Sequence, residues 1–339
     1  MDKNTSRNQI DNVLTGFAQD YVQDSAVFVG ARYFPIIPVS QNAGKFKVYG
    51  QGSFNRPVNS KRAEDGVANT IGFKSGYGSY TVDDDAIRTF ISDKEVANTP
   101  ASNRAQLNMD ASRLVINALL VNKELEFKDK FLTKGKWAKD LVGTADGTGA
   151  GNFKKWSDDG SNPIDDILDQ QTAFSLATGG RKWNKALMTL DVYNRLRRHP
   201  AVLASITGGA TTAQPAIATK ETLMALLDVE ELEIMQSVIN QAANGLEKAD
   251  GTLLADNQFA ASGVLMLNYV ERQIASTKTP VAAAGFHWNE FVGLGVNNGP
   301  AVRRYAGVEG RRGEFVEAEY ALDVQMVAPD FGILFSEAL

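Results

Sequence analysis

From Ala101 to Lys134 the sequence contains neither glycine nor proline, the two residues that most readily end a helix. Within it Leu107, Ala111, Leu114, Ala118, Val121 and Leu125 recur at alternating spacings of four and three. That rhythm predicts one apolar stripe along a helix, packed against a core. Ile116, Leu119, Leu120, Phe127 and Phe131 widen the face expected to be buried. About 30 helical residues at a rise of 1.5 Å make a rod of roughly 45 Å, longer than a small domain is wide. Whatever this chain folds into is organised along such a rod. A coiled coil is the alternative, but the stripe holds for fewer than three clean heptads and its alanines suit packing on a sheet.

The C-terminal stretch supplies a second long element. Val316, Ala318, Tyr320, Leu322, Val324 and Met326 alternate with mostly polar neighbours, the period of a half-buried strand. At about 3.3 Å per residue such a strand exceeds 30 Å, a match for the helix. Pro329 ends it, and Phe331 to Phe335 reads as a closing apolar strand.

Between these elements the pattern is compact α/β. Asn162 is placed to cap a helix with Pro163 in its first position, Asp165 and Asp166 in its first turn and Gly179-Gly180 at its end. Lys185 to Leu190 is a short strand, Val192 to Arg198 a helix stopped by Pro200, and Thr219 the cap of a third helix that breaks at Asp228. Leu232 to Met235 and Gly263 to Leu267 add strands. The glycine run Gly143 to Gly151 reads as a flexible linker. It is not a nucleotide loop, because no buried strand precedes it and no Gly-Lys-Ser/Thr follows.

The first 82 residues are harder to bury. Val13, Leu14, Phe17, Tyr21, Val27, Phe28 and Val29 hold no single period for long, so residues 1–44 read as an arm. Tyr33-Phe34-Pro35-Ile36-Ile37-Pro38-Val39 is apolar, extended and broken by proline, and needs another surface to lie on. Lys45 to Tyr49 and Ser79 to Val82 can pair as strands, with a long segment between them rich in glycine and charge. Loops of that length without a core are usually functional or disordered, and a projecting hairpin over 45–82 is the expectation. Asp83-Asp84-Asp85 then reads as the cap of a helix carrying Ile87, Phe90 and Ile91, since no turn glycine or distal Glu completes a calcium loop.

Chemistry is sparse. Among 339 residues there is no cysteine, which excludes thiolate sites, and His199 and His287 are the two histidines, so any imidazole ligand or histidine base must be one of these two. His199, in Arg197-Arg198-His199-Pro200, suits a cationic helix C-terminus; His287, between Phe286 and Trp288, reads as a packed or rim histidine. Asp158-Asp159 and Asp165-Asp166 can supply paired carboxylates, yet both lie where helix starts place acids anyway. Arg303-Arg304 and Arg311-Arg312 flank a turn and can meet nucleic acid or a neighbouring subunit's carboxylates. With 35 basic against 40 acidic residues the net charge is −5, which argues against a protein whose main task is coating nucleic acid. The N-terminus lacks the apolar core of a secretory signal, and no apolar run approaches the roughly 20 residues of a membrane span. No catalytic residue, metal or cofactor is expected.

Taken in order, arm, projecting hairpin, long helix, α/β unit and long C-terminal strands resemble the major capsid proteins of tailed bacteriophages, with their Hong Kong 97 phage-type shell fold shared by encapsulins. The resemblance rests on Tyr33 to Val39 with Gly44-Lys45-Phe46, on Ser79 to Asp85, on Asn162 to Ile167, on Val192 to Pro200, and on Arg311 to Glu314 running through Val327 to Gly332. It implies an α+β fold divided into an N-terminal arm (1–44), an extended hairpin loop (45–82), a peripheral domain (83–160) holding a spine helix at about 101–134, an axial domain (161–290) and a return to the peripheral sheet (291–339). It further implies hexamers and pentamers of the chain itself in an icosahedral shell around double-stranded DNA, assembled in a host bacterial cytoplasm and ending in the virion. Portal, scaffolding and decoration or cement proteins are the other partners it implies, with no membrane. The hairpin would lie over a neighbour and the arm would tie subunits together. Phe34, Pro35, Ile37, Phe54, Arg56, Lys61, Arg62, Glu64, Asp65, Arg311 and Arg312 are the expected subunit interface. Residue 1 is Met with no long charged helix before the arm, so a fused scaffolding domain is not expected, nor is a crosslink from Lys61 or Lys74 to an asparagine. An encapsulin-like compartment with a protein cargo is the rival within the fold, and a soluble α/β hydrolase the rival outside it.

Overall fold

The long helix forms where glycine and proline are missing: in the computed structural model it spans Arg104–Phe131. The structure describes residues 27–339 apart from 50–54, 56, 59, 63, 65, 73–74, 101–103, 208–216, 243–255, 272–280, 293–298 and 308–309. The chain opens with β1 (Ile36–Val39), β2 (Ala43–Tyr49), β3 (Ser75–Thr81), β4 (Asp85–Ser92), the short α1 (Asp93–Asn98) and the long α2 (Arg104–Phe131). Next come β5 (Lys139–Thr144), β6 (Asn152–Lys154), α3 (Pro163–Thr178), β7 (Lys185–Thr189), α4 (Leu190–Leu196), α5 (Pro200–Thr207) and α6 (Lys220–Leu226). It closes with β8 (Glu231–Met235), β9 (Val238–Asn240), β10 (Asn257–Phe259), β11 (Leu265–Asn268), β12 (Ala283–Trp288), β13 (Ala301–Ala306), β14 (Gly313–Tyr320), β15 (Leu322–Met326) and β16 (Gly332–Ser336).

A mixed six-stranded sheet, ordered β6-β5-β16-β11-β7-β8, carries the largest core. Trp156, Ile167, Trp183, Met188 and Phe335 fill it, with α3, α4 and α6 supplying Phe174, Val192 and Leu223. Its strands come from both sides of residue 160 and from beyond residue 291. A three-stranded antiparallel sheet, β13-β14-β4, backs onto α2 through Ile91, Val302, Val316, Ala318 and Tyr320. A second three-stranded sheet, β1-β12-β15, receives the proline-broken segment: β1 pairs in parallel with β12, Ile36 opposite Gly285 and Val39 opposite Trp288. The other surface that this segment needs is therefore found within its own chain. Residues 1–26 of the expected arm lie outside the described residues.

Four expectations from sequence need correction. The buried face of α2 carries Ala111, Val115, Ile116, Leu119 and Leu120 against the sheet and Phe127 and Phe131 against Tyr33, Phe34 and Trp137, while Leu114 of the four-and-three stripe is 61% exposed. Asp85 to Ser92 is a strand, paired over its whole length with β14. Ile87 and Ile91 turn to α2 while Phe90 meets Phe315 on the opposite face, 4.9 Å between ring centroids. Spacings of three and four fit Ile87, Phe90 and Ile91, but Ile87 and Ile91 also share one face of a strand, and β-branched residues beside a waiting strand edge favour the latter. The single long C-terminal strand is two, β14 and β15, in different sheets, with the break at Ala321. Alternation survives the break because Val316, Ala318, Tyr320, Leu322 and Val324 all face the same cluster. Finally, the glycine run between β5 and β6 is an ordered turn, held by Asp146 accepting from the Thr148 hydroxyl (2.6 Å) and backbone N–H (3.3 Å).

Candidate assembly surfaces

The hairpin forms as its sequence suggests. β2 and β3 pair antiparallel, Lys45 opposite Ser79, Gly44 opposite Tyr80 and Phe46 opposite Gly78. Each glycine faces an aromatic ring on the neighbouring strand, and a Cβ at Gly44 would stand 2.5 Å from the Tyr80 hydroxyl. The rings lie flat across the glycines and both stack on Phe286 of β12, Tyr80 at 4.5 Å and Phe46 at 5.4 Å between centroids. This fixes the hairpin's base to the body. Further out the chain turns apolar groups to solvent: Val67 is 92% exposed, Ile71 72% and Tyr77 66%. Such side chains, on a segment with no core, mark a surface built for contact.

Of the expected interface residues on this hairpin, Lys61, Arg62 and Glu64 are exposed, and the Arg62 guanidinium donates to the Gly66 carbonyl. Phe54, Arg56 and Asp65 lie outside the described residues. Arg311 and Arg312 are exposed at the β13–β14 turn, where the Arg312 carbonyl accepts from the Asp93 N–H (3.1 Å). Pro35 and Ile37 are half-buried. Phe34 departs from expectation: it is 2% exposed and packs against Phe127 and Phe131 of α2, so its contact is internal.

A feature with no sequence signature anchors the arm's end. The Glu124 carboxylate, buried on α2, accepts from the N–H groups of Val29 (3.0 Å) and Gly30 (2.5 Å) and from the Ser237 hydroxyl (3.0 Å). Burial raises its pKa, and the two backbone donors and Ser237 oppose that rise. Only glycine fits at position 30, since a Cβ there would meet Phe127 at 2.7 Å. Arg32 adds an ion pair to Glu233 (2.7 Å).

The candidate groups for chemistry are otherwise engaged. His199 is fully buried, which overturns its reading as a cation at a helix end, and burial lowers its pKa. Its Nδ1 accepts from the Ala201 N–H (3.2 Å), which leaves the proton on Nε2, 3.1 Å from both Ser161 Oγ and the Asp158 carbonyl. A protonated Nε2 cannot act as base toward Ser161, whose hydroxyl donates to the Asp158 carbonyl (2.7 Å). His287 is buried with no hydrogen bond at either ring nitrogen and a pKa lowered by burial. Asp158 pairs with Lys154 (2.8 Å), Asp159 with Arg195 (2.6 Å), and Asp166 accepts from the Trp156 indole (3.0 Å). Among the described residues no cluster of His, Asp or Glu is placed to hold a metal, and no helix is long and apolar enough to cross a membrane.

No family model matches the sequence, and no curated protein does. Solved structures do match. A phage-related protein of Bordetella bronchiseptica aligns over 97% of both chains at 19% identity and a TM-score of 0.67. The capsid of cyanophage P-SCSP1u covers 89% of this chain and 86% of its own at 11% identity and a TM-score of 0.51. The holo-SrpI encapsulin of Synechococcus elongatus covers 91% and 86% at 10% identity and a TM-score of 0.50. The chain thus has the α+β Hong Kong 97-type fold of phage capsid proteins and encapsulins.

Proposed function

We propose that this protein is a structural shell subunit, a phage major capsid protein that assembles as hexamers and pentamers into an icosahedral container for double-stranded DNA. The observation that carries the reading is the hairpin, whose base is locked by Phe46, Tyr80 and Phe286 while Val67, Ile71 and Tyr77 stand in solvent. A lone chain gains nothing from displaying them; a chain covered by its neighbour does. In this reading α2 and the β13-β14-β4 sheet belong to the peripheral part of each subunit (83–160 and 291–339), and residues 161–290 form the axial part. Pro35, Ile37, Lys61, Arg62, Glu64, Arg311 and Arg312 meet neighbouring subunits, and no residue is catalytic. A net charge of −5 suits a wall that must not clamp its contents. Portal, scaffolding and decoration proteins would complete the particle in the host cytoplasm.

Electron microscopy of the purified protein, with nuclease treatment of its contents, tests this. Closed shells that protect long double-stranded DNA are the expected result. Small shells filled with one protein species would favour the encapsulin-like reading, and a small monodisperse species under all assembly conditions would overturn both.

A further inference from the structure

Helix α3 buries Ile164, Ile167, Phe174 and Thr178 against the body. Its opposite side carries Asp165, Asp169, Thr172, Ala173 and Leu176, spaced i, i+4, i+7, i+8 and i+11, and all five are exposed. That side is acidic at its start and apolar at its end, where Leu176 stands 79% in solvent. The hairpin carries the complementary set: Val58 is 41% exposed, and Lys61 and Arg62 follow it, both exposed. The chain's own hairpin touches α3 at one point. The Asn55 side-chain amide lies 3.1 Å from where a Cβ would stand on Gly179, the left-handed residue that caps the helix. With the hairpin's base stacked on Phe286, the contact stops there, and the matching groups on both surfaces remain in water.

We propose that the outer side of α3 receives the hairpin tip of a second copy of this chain, with Val58 against Ala173 and Leu176 and with Lys61 and Arg62 against Asp169 and Asp165. A contact that one chain makes in part, two chains can make in full by exchanging the same element. The lengths agree. From Gly179 back to Asp169 the helix covers about 15 Å, and to Asp165 about 21 Å. Six extended residues, the distance from Asn55 to Lys61, reach roughly 20 Å. A tip lying antiparallel to the helix, with Asn55 near the cap, therefore brings its cations to the acids. Tip and helix are different surfaces, so the contact repeats head to tail and can close a ring. The inference rests on the shell reading above and names the surface on which the hairpin lands.

Because the chain has no cysteine, engineered thiols report the contact without background. Val58→Cys chains mixed with Leu176→Cys chains under assembly conditions, then treated with a short bis-maleimide, should join as heterodimers. The rate should be about tenfold above that of Val58→Cys mixed with Asp129→Cys, an exposed control on α2. A chain carrying both Val58→Cys and Leu176→Cys should give a ladder of multimers. Lys61→Glu in the first chain or Asp169→Lys in the second should slow joining about threefold, and the two together should restore it. Closed particles that join at 176 no faster than at 129 would overturn the inference and leave the shell reading intact. A double-cysteine chain that crosslinks at monomer mass would give the tip to its own helix and also overturn it. Unaltered rates in the charge variants would overturn the proposed pairing of cations with acids. A species that stays monomeric under every assembly condition would remove the shell reading and this inference with it.

Discussion

In the six-stranded sheet every residue of β7, β11 and β16 is buried, and the strands are held on both sides by aromatic and aliphatic side chains from helices and turns. In the hairpin no described residue of β3 is buried, and the segment leading to it turns its apolar side chains outward. The two regions share one chain and one fold, yet the first satisfies itself and the second does not. Hydrophobic surface is costly to leave in water, so the contrast separates residues that make the subunit fold from residues that make it associate. A region of the first kind should respond to mutation through stability; a region of the second kind should respond through assembly while the subunit stays folded.

The largest effect should come from removing the second region altogether. Replacing residues 51–72 with a short glycine-serine turn should abolish closed shells in electron micrographs. The thermal midpoint of the unassembled protein should move by no more than about 2 °C, since roughly 1 kcal/mol shifts a chain of this length by between one and two degrees. Shells of normal size from this variant would erase the distinction.

Next come single cavities in the first region. Phe335→Ala, in the middle of the six-stranded sheet, should cost about 3–5 kcal/mol in denaturant unfolding, and Leu119→Ala on the buried side of α2 about 2–5 kcal/mol. Val67→Ser or Ile71→Ser should stay within about 0.5 kcal/mol in the same assay, as exposed sites do, and lower shell yield instead. A hairpin variant that unfolded as readily as Phe335→Ala would show that the hairpin is core after all.

A smaller, pH-dependent effect belongs to the outer face of the β13-β14-β4 sheet. Burial, and then neighbouring Glu317, push the Glu319 carboxyl up to about 7, against the pull of Arg303 and with Asp84 adding to the rise. The folded protein then holds a proton that the unfolded chain releases at the ordinary carboxyl pKa near 4.5. Stability should therefore fall as pH rises from about 4.5 to 7, with the loss complete above that window. Glu319→Gln keeps the neutral form and should flatten the fall between about pH 4.5 and 7 in thermal melts. Parallel curves for the two proteins would place the titration on another group.

The smallest effect is charge reversal on the hairpin. Lys61→Glu or Arg62→Glu should change each contact by about 0–1 kcal/mol and leave folding untouched. Repeated over a shell, the change should raise the critical assembly concentration, more at low salt than at high. An unchanged concentration at every ionic strength would remove these residues from the interface.

Much of this fold was legible because its strongest signals are local. The lack of glycine and proline bounded α2 to within three residues of its observed ends, and the strands of the hairpin found their partners from alternation alone. What stayed hidden was always a choice between partners. Leu114 and Leu119 are both leucines on one helix, and which side meets the sheet is decided by β4 and β14, far away in sequence. Ile87 and Ile91 share a face in a helix or in a strand, and the edge of β14 selected the strand. His199 looked like part of a basic cluster until Ala201, Ser161 and Asp158 closed around it. Glu124 gave no sign at all, since a lone glutamate in a helix is ordinary until two backbone N–H groups arrive from 94 and 95 residues away.

The break at Ala321 has a mechanical meaning. Because β14 continues directly into β15, the sheet that holds the hairpin's base and the sheet that backs onto α2 are joined by continuous covalent chain across their width. A pull on the hairpin passes from Phe286 into β12, then across its ladder to β15, and so along the backbone into β14. Force arriving along a strand loads the hydrogen bonds of its ladder together, as shear, rather than one after another, as in a zip. The junction lets tension applied at the hairpin reach the sheet on the long helix without meeting a loop that can stretch.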